Sequence, residues 1–273
     1  MVINRQATES YTIRLAHILL STLSARKPIY ILDLCTGTGC IALLMYAILR
    51  PALPVTVTGI DISTRALSLA RRNLAHNFPS VSDSTPVRFE PGNILLSGAA
   101  LAAEAAAARK ERGWWYGDQG ADVVTANPPY ISQRGFDVDT ERSVRNFEPK
   151  LALVPSAGDE QQMRPEDVFY PAIVRRAEGL GARVLLMEVA GTEQAVRVAR
   201  FVRENAKGWW GRIEIWQDVP DGREVLEGEE EAEDVGFTFR GTGPGRSVAC
   251  WRDEPEPAPA PGERGNLDTG DKL

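Results

Sequence analysis

The stretch ILDLCTGTGCIAL, Ile31 to Leu43, leads an apolar run into an acid, two glycines and a second apolar run. Its first part reads as a strand and its last as a helix, joined by a short turn. Gly37 and Gly39 let the backbone turn sharply and approach a ligand closely, and the helix expected to follow offers unpaired N–H groups. The turn is shorter than the G-x-G-x-x-G dinucleotide fingerprint, and Asp33 on its strand side suits a cationic amino group better than a pyrophosphate. Alone, the stretch also reads as a plain strand-to-helix junction with no ligand.

Working outward, apolar runs alternate with helical spacing, which predicts an α/β chain with a mostly parallel sheet and crossover helices. Strands are expected at Ile29–Leu34, Val55–Asp61, Val87–Glu90, Asp122–Ala126, Arg183–Val189, Ile213–Asp218 and Ser247–Trp251. Helices are expected at Gly39–Leu49, Thr64–Asn77, Ala99–Arg112, Pro165–Glu178 and Thr192–Asn205, with an opening helix near Ser10–Ser24 on the sheet edge. The last two strands lack a helix between them and predict an antiparallel hairpin, its tip carrying an acidic insert from about Pro220 to Gly245. One catalytic domain over residues 1–252 and a Pro- and Glu-rich disordered tail over 253–273 complete the organisation.

With 273 residues, 43% of them apolar, the chain can bury one sizeable core. Three cysteines, Cys35, Cys40 and Cys250, and two histidines argue against a disulfide framework or a structural metal. A net charge of -6 argues against bulk electrostatic binding of nucleic acid, although seven carboxylates are concentrated between Glu224 and Asp234. No apolar run reaches the roughly 18–20 residues of a membrane span, so a soluble chain is expected.

Two further positions strengthen the ligand reading of the glycine turn. Asp61 ends the second strand, where an acid can accept both hydroxyls of a ribose bound across the first turn. Its alternative role, capping the helix at Thr64, falls more naturally to Ser63. Past the third strand, Asn93 is placed to meet an adenine edge and Ile94 to cover its face, although Pro-Gly-Asn is equally an ordinary turn.

In DVVTANPPYI, Asp122 to Ile131, a buried strand ends in an amide, two prolines and an aromatic ring. Asn127 precedes a proline and is held extended, so its amide is aimed out of the strand end. Pro128 and Pro129 donate no backbone hydrogen bond, which leaves carbonyl acceptors without competing donors. Tyr130 adds a flat face. Two acceptors and an aromatic wall fit a planar –NH2 group, at the carboxyl end of the sheet where open α/β folds bind ligands.

These residues resemble class I methyltransferases that use S-adenosylmethionine: DLCTGTG is similar to the first cofactor motif, Asp61 to the ribose acid, and NPPY to the fourth motif of enzymes acting on planar amino groups. SVRNFEPKLALVP, ARVLLMEVAGTEQAVRV with Glu188, and INRQATES narrow the resemblance to the HemK/PrmC family of release-factor glutamine methyltransferases, from about Ile3 to Arg252. The resemblance implies a seven-stranded sheet of order 3-2-1-4-5-7-6. It implies that Asp33, Cys35, Thr36, Gly37, Thr38, Gly39, Asp61, Ile62, Asn93, Ile94 and Asn127 bind the cofactor. Asn127, Pro128, Pro129 and Tyr130 are then expected to hold the glutamine amide for in-line attack, with no dedicated base. The expected partner is a peptide-chain release factor met by a monomer, with no stable nucleic acid and no membrane, in mitochondrion or cytoplasm.

The chain departs from the family in having Cys35 for a glycine and Asn93 and Ile94 for an acid and an aromatic residue; family members begin with a small helical domain and this sequence starts almost at the catalytic one, so an N-terminus either truncated or differently organised is expected. Glu148 either orients the substrate loop or anchors its own. Trp114 and Trp115 read as a substrate platform or as packed anchors, and His17 and His76 as surface residues. Two other functions share the fold: methylation of an adenine or cytosine amino group, which calls for a basic groove, and a catalytically silent binding subunit.

Overall fold

The computed structural model describes residues 5–23, 27–81, 86–113, 115–155, 163–206, 208–220 and 236–252. Helix α1 (Arg5–Thr22) leads into β1 (Ile29–Leu34), α2 (Cys40–Leu49), β2 (Val55–Asp61), α3 (Thr64–Asn77), β3 (Val87–Pro91) and α4 (Gly98–Arg112). Then come β4 (Val123–Ala126), the short helices α5 (Gln133–Val138) and α6 (Arg142–Phe147), α7 (Phe169–Gly179), β5 (Val184–Glu188) and α8 (Thr192–Asn205). The described chain closes with β6 (Arg212–Val219), β7 (Thr238–Arg240) and β8 (Thr242–Trp251).

The strands form one sheet in the order β3-β2-β1-β4-β5-β8-β6-β7. The first five are mutually parallel, and β8 runs antiparallel between β5 and β6. Counting β8 as the seventh strand, this is the 3-2-1-4-5-7-6 order expected from the sequence. The additional edge strand β7 pairs parallel with β6. Asp33 in β1 stands beside Gly59 on one side and Thr125 on the other, so one register joins three strand ends.

Alternation along the strands sends successive side chains to opposite faces. Ile29 and Ile31 join Tyr11, Leu15, Met45, Leu67, Phe89 and Trp216 under α1, α2 and α3. Leu32 and Leu34 join Ile60, Ile94, Ile173, Val198 and Ile215 under α7 and α8. Helices α3 and α8 have the bounds that their apolar spacing predicts, and the Ser63 side chain caps α3 by accepting from Ala66 N.

Several expectations need correction. Helix α1 starts five residues before Ser10 and lies over the sheet face, its Tyr11 and Leu19 packed with the core, rather than at an edge. The helix expected at Pro165–Glu178 is split: Pro165–Asp167 is a 3-10 turn, because Asp167 is held by Gln194 and Arg197, and α7 begins at Phe169. The insert is narrower than expected, since β7 and the first residues of β8 lie within 220–245 and Val219 already pairs with Thr242. The acidic run Glu224–Asp234, Trp114 and the tail over 253–273 lie outside the described residues. Among the described residues, no helix is long and apolar enough to cross a membrane.

Candidate active site

The turn after β1 is built from backbone that few side chains tolerate. Cys35 adopts φ 56° and Gly37 and Gly39 adopt 55° and 82°, all in the left-handed region. Thr36 N donates to Ile60 O at 2.9 Å and Gly39 N to Thr36 O at 2.9 Å, tying the turn to β2 and closing it. A methyl group on Gly59 would come within 2.7 Å of both the Phe89 ring and Thr36 Oγ1, so β2 needs glycine where the turn rests on it.

Asp33 sits beneath this turn, 1% exposed. Its Oδ2 accepts from Thr36 Oγ1 at 2.6 Å and its Oδ1 from Thr125 Oγ1 at 2.7 Å. Burial pushes its pKa up to about 6, against the opposing pull of Thr36, Thr125 and the Ala42 N–H. The acid expected to meet a cationic group therefore braces the turn and joins it to β4.

Asp61, at the end of β2, is partly exposed, and its two oxygens accept from Gly37 N and Ser63 N, each at 2.8 Å. The next residue, Ile62, is 56% exposed and stands beside it as an open apolar surface. Beyond β3, Asn93 Oδ1 accepts from Leu95 N at 3.0 Å, the local turn that its Pro-Gly-Asn context allows, while Ile94 is buried. Arg176 on α7 pins this loop, donating to the carbonyls of Asn93, Ile94 and Leu96, each at 3.1 Å.

At the end of β4, Asn127 Nδ2 donates to Glu188 Oε2 at 2.7 Å and Tyr130 Oη donates to Glu188 Oε1 at 2.8 Å. Helix α1 reaches the same carboxylate: Thr8 Oγ1 donates to Oε2 at 2.8 Å and Tyr11 Oη at 2.5 Å. Burial raises the Glu188 pKa, opposed by hydrogen bonds from Tyr11, Thr8 and Tyr130 and by the charge of Arg246. Burial together with the neighbouring Glu188 charge holds the Tyr11 and Tyr130 phenols well above their ordinary range.

One cavity of about 560 Å³, a size typical of small-molecule sites, unites much of this. Cys35, Thr36, Gly37 and Thr38 form one wall and Asn127, Tyr130 and Ile131 another, with Glu148 at the loop side. Pro128 and Pro129 are buried behind, and Asp33 and Gly39 lie below the turn. His17 and His76 are exposed, as their sequence context suggested. Trp115 packs against Tyr116 with ring centroids 4.6 Å apart, and neither lines the cavity beside the glycine turn.

Sequence reasoning missed Thr8, Tyr11, Gly59, Thr125 and Arg176. Glu188 was named for the apolar run VLLME that it closes, and Thr8 lies in the quoted INRQATES, but neither was assigned the contact they share.

Residues 15–89 match the family described as Methyltransferase small domain. The chain is 29% identical over 220 residues to "Probable MRF1 mitochondrial N(5)-glutamine methyltransferase mtq1" of Schizosaccharomyces pombe, covering 78% of this chain and 64% of that protein. It is 34% identical over 147 residues to a "Release factor glutamine methyltransferase" of Chlorobaculum tepidum, covering 54% and 42% of the two chains. A "Ribosomal protein uL3 glutamine methyltransferase" of Francisella tularensis is 29% identical over 168 residues, covering 61% and 43%. The chain thus spans under two thirds of each of these relatives. Among solved structures, a METTL16 methyltransferase domain superposes with a TM-score of 0.51 at 12% identity, covering 91% of this chain and 68% of the other.

The fold is that of the class I methyltransferases, which implies S-adenosylmethionine as cofactor. The residues fit it. The glycine turn leaves backbone open to a ligand, Asp61 is fixed beside that turn by Gly37 N, and the cavity continues from the turn to Asn127.

Proposed function

We propose that this class I methyltransferase domain, whose relatives are glutamine N5-methyltransferases, transfers a methyl group to the side-chain amide nitrogen of a glutamine in a peptide-chain release factor. The observation that carries the reading is the placement of Asn127 and Tyr130 on the wall facing the glycine turn across a single cavity. The mitochondrial S. pombe relative and the bacterial release-factor relative support this substrate class, and the former favours a mitochondrial release factor.

S-adenosylmethionine, when bound, supplies a methyl group on a positively charged sulfur. Asp61 would hold the ribose hydroxyls on the lone pairs left by its two backbone donors, and the 35–38 turn would hold the amino-acid end. An amide nitrogen is a poor nucleophile because its lone pair is delocalised into the carbonyl. Asn127 Oδ1 accepts one of its protons and the Pro128 carbonyl the other, which fixes the nitrogen toward the methyl carbon and eases its loss of planarity. The ring of Tyr130 covers the amide plane. Transfer would leave the C–S electron pair on the cofactor's sulfur and release one amide proton to solvent, so no buried base would be needed.

The test is mass spectrometry of a release factor incubated with this protein and S-adenosylmethionine, with ribosomal protein uL3 as a second substrate. Replacement of one hydrogen by a methyl on the glutamine of the Gly-Gly-Gln loop, absent with Asn127→Ala, is expected. Modification of uL3 alone would move the substrate to the ribosome, and modification of neither, with cofactor bound, would overturn glutamine transfer.

A further inference from the structure

We propose that Glu188 is the positioning residue of this site: its carboxylate fixes the Asn127 amide with the oxygen toward the cavity and at the same time locks the Tyr130 ring. The proposal rests on the glutamine-transfer reading and adds to it the residue that sets the geometry of its acceptor.

The argument begins with what a carboxylate can do. Ionised, it has no proton to give, so every partner must donate. Thr8, Tyr11 and Asn127 donate to Oε2 and Tyr130 donates to Oε1, which gives one carboxylate four donors from two distant parts of the chain. Were the Asn127 amide turned over, its Oδ1 would face Oε2 at 2.7 Å, two acceptors with no hydrogen between them. That arrangement is repulsive. Nδ2 therefore points to Glu188, which is 3% exposed, and Oδ1, on the other arm of the amide, is the atom left for Asn127 to present to the cavity it lines.

An amide that could rotate freely would present a donor to the substrate's –NH2 half of the time, which is useless for holding two N–H groups. Glu188 removes that choice. A negative partner on the nitrogen side also polarises the amide and strengthens its oxygen as an acceptor. Tyr130 is fixed by the other oxygen of the same group, so the acceptor and the aromatic wall are set by one rigid body. The Glu188 backbone is held as well, its carbonyl accepting from Tyr170 Oη at 3.0 Å.

Stability alone does not account for this residue. A buried carboxylate carries a large desolvation cost, and apolar side chains of similar size usually serve a core as well or better. Thr8 and Tyr11 are three residues apart, on one face of α1, and both point their hydroxyls at this carboxylate, which links the first described helix directly to the site.

The test uses Glu188→Gln, nearly isosteric and able to accept or donate, with S-adenosylmethionine bound. In 15N–1H spectra of the wild type, the two Asn127 Nδ2 protons, assigned by their loss in Asn127→Ala, are expected as an unequal pair with one proton shifted downfield and slow to exchange. In Glu188→Gln that signature collapses, kcat for glutamine methylation falls by roughly tenfold to a hundredfold, as when an outer partner of a reacting-site ligand is lost, and cofactor affinity stays near wild type. An unchanged Asn127 pair, an unchanged kcat, or equal loss of kcat and cofactor affinity would overturn the proposal. Should Glu188→Gln not fold, Tyr11→Phe and Thr8→Val keep the carboxylate and loosen it. Each is expected to shift the Asn127 pair and lower kcat by a smaller factor, and no change in either overturns the proposal. Where the wild type methylates no glutamine at all, the proposed function fails, and the Asn127 signature alone decides the role of Glu188.

Discussion

Thr125 Oγ1 lies 2.7 Å from Asp33 Oδ1, joining the end of the cofactor strand to the strand that ends in Asn127. The two residues are 92 apart in sequence and paired across β1 and β4. One buried acid thus ties the glycine turn to the strand that ends beside Asn127.

That acid is expensive at neutral pH. Its folded-state pKa of about 6 lies above the ordinary 3.8, a gap worth roughly 3 kcal/mol. Because the value is raised, its contribution to stability is fully present below about pH 4 and is lost as pH rises through about 6. Asp33→Asn should therefore gain stability relative to the wild type as pH goes from 4 to 7, partly offset by weaker bonds to Thr36 and Thr125. Melting temperatures of both proteins across that range check it; a constant difference would mean that Asp33 carries no such penalty.

Cys35 is the one non-glycine residue with positive φ among the described residues. A left-handed conformation costs an L-residue about 1–2 kcal/mol, and glycine escapes that cost while losing some chain entropy on folding. Cys35→Gly should raise stability by about 1 kcal/mol, or about 2–4 °C in Tm for a chain of this size. A lower Tm would show that the packing of the Cys35 side chain against the core cluster under α7 and α8 outweighs the strain.

Gly59 has no room for a side chain. Gly59→Ala would drive a methyl into Phe89 and into the hydroxyl by which Thr36 reaches Asp33. Overpacking of this kind costs about 1–3 kcal/mol. Chemical denaturation should show that loss, together with weaker S-adenosylmethionine binding in calorimetry. Normal affinity in the folded variant would detach the turn from the cofactor.

Arg176 holds three carbonyls of the loop after β3. Arg176→Met removes all three donors, and with hydrogen bonds to a charged group worth about 1.5–3 kcal/mol each and water replacing some, a net loss of about 3 kcal/mol is expected. Hydrogen exchange should be faster at Leu95 and Leu96, whose amides close the Asn93 turn. Unchanged protection there would assign the order of the loop to Glu104, which accepts from Asn93 N, instead of Arg176.

The parallel half of the sheet was legible because each of its strands is a dense apolar run, and α3 and α8 because their spacing and starts are regular. Helices α5 and α6 were not, since they bury no residue and so leave no periodic trace. Strand β7 is three residues long, below what a pattern can carry. In the site, glycines and the Asn-Pro-Pro-Tyr run announce themselves locally. The two α1 donors to Glu188 do not, because nothing near Thr8 or Tyr11 records a partner 180 or 177 residues away. Asp33 shows the limit from the other side: the residue was conspicuous, but only packing reveals that it faces two threonines.

The span between Thr8 and Glu188 also orders events during synthesis. Helix α1 emerges from the ribosome well before β5 has been made, and at a few to some twenty residues per second the wait is on the order of ten seconds or more. Through that interval Thr8 and Tyr11 have no carboxylate to meet, and the apolar face of α1 bearing Leu15 and Leu19 has only the early strands and α2 to cover it. A nascent chain stalled before Glu188 would carry a finished glycine turn beside an Asn127 with no fixed partner.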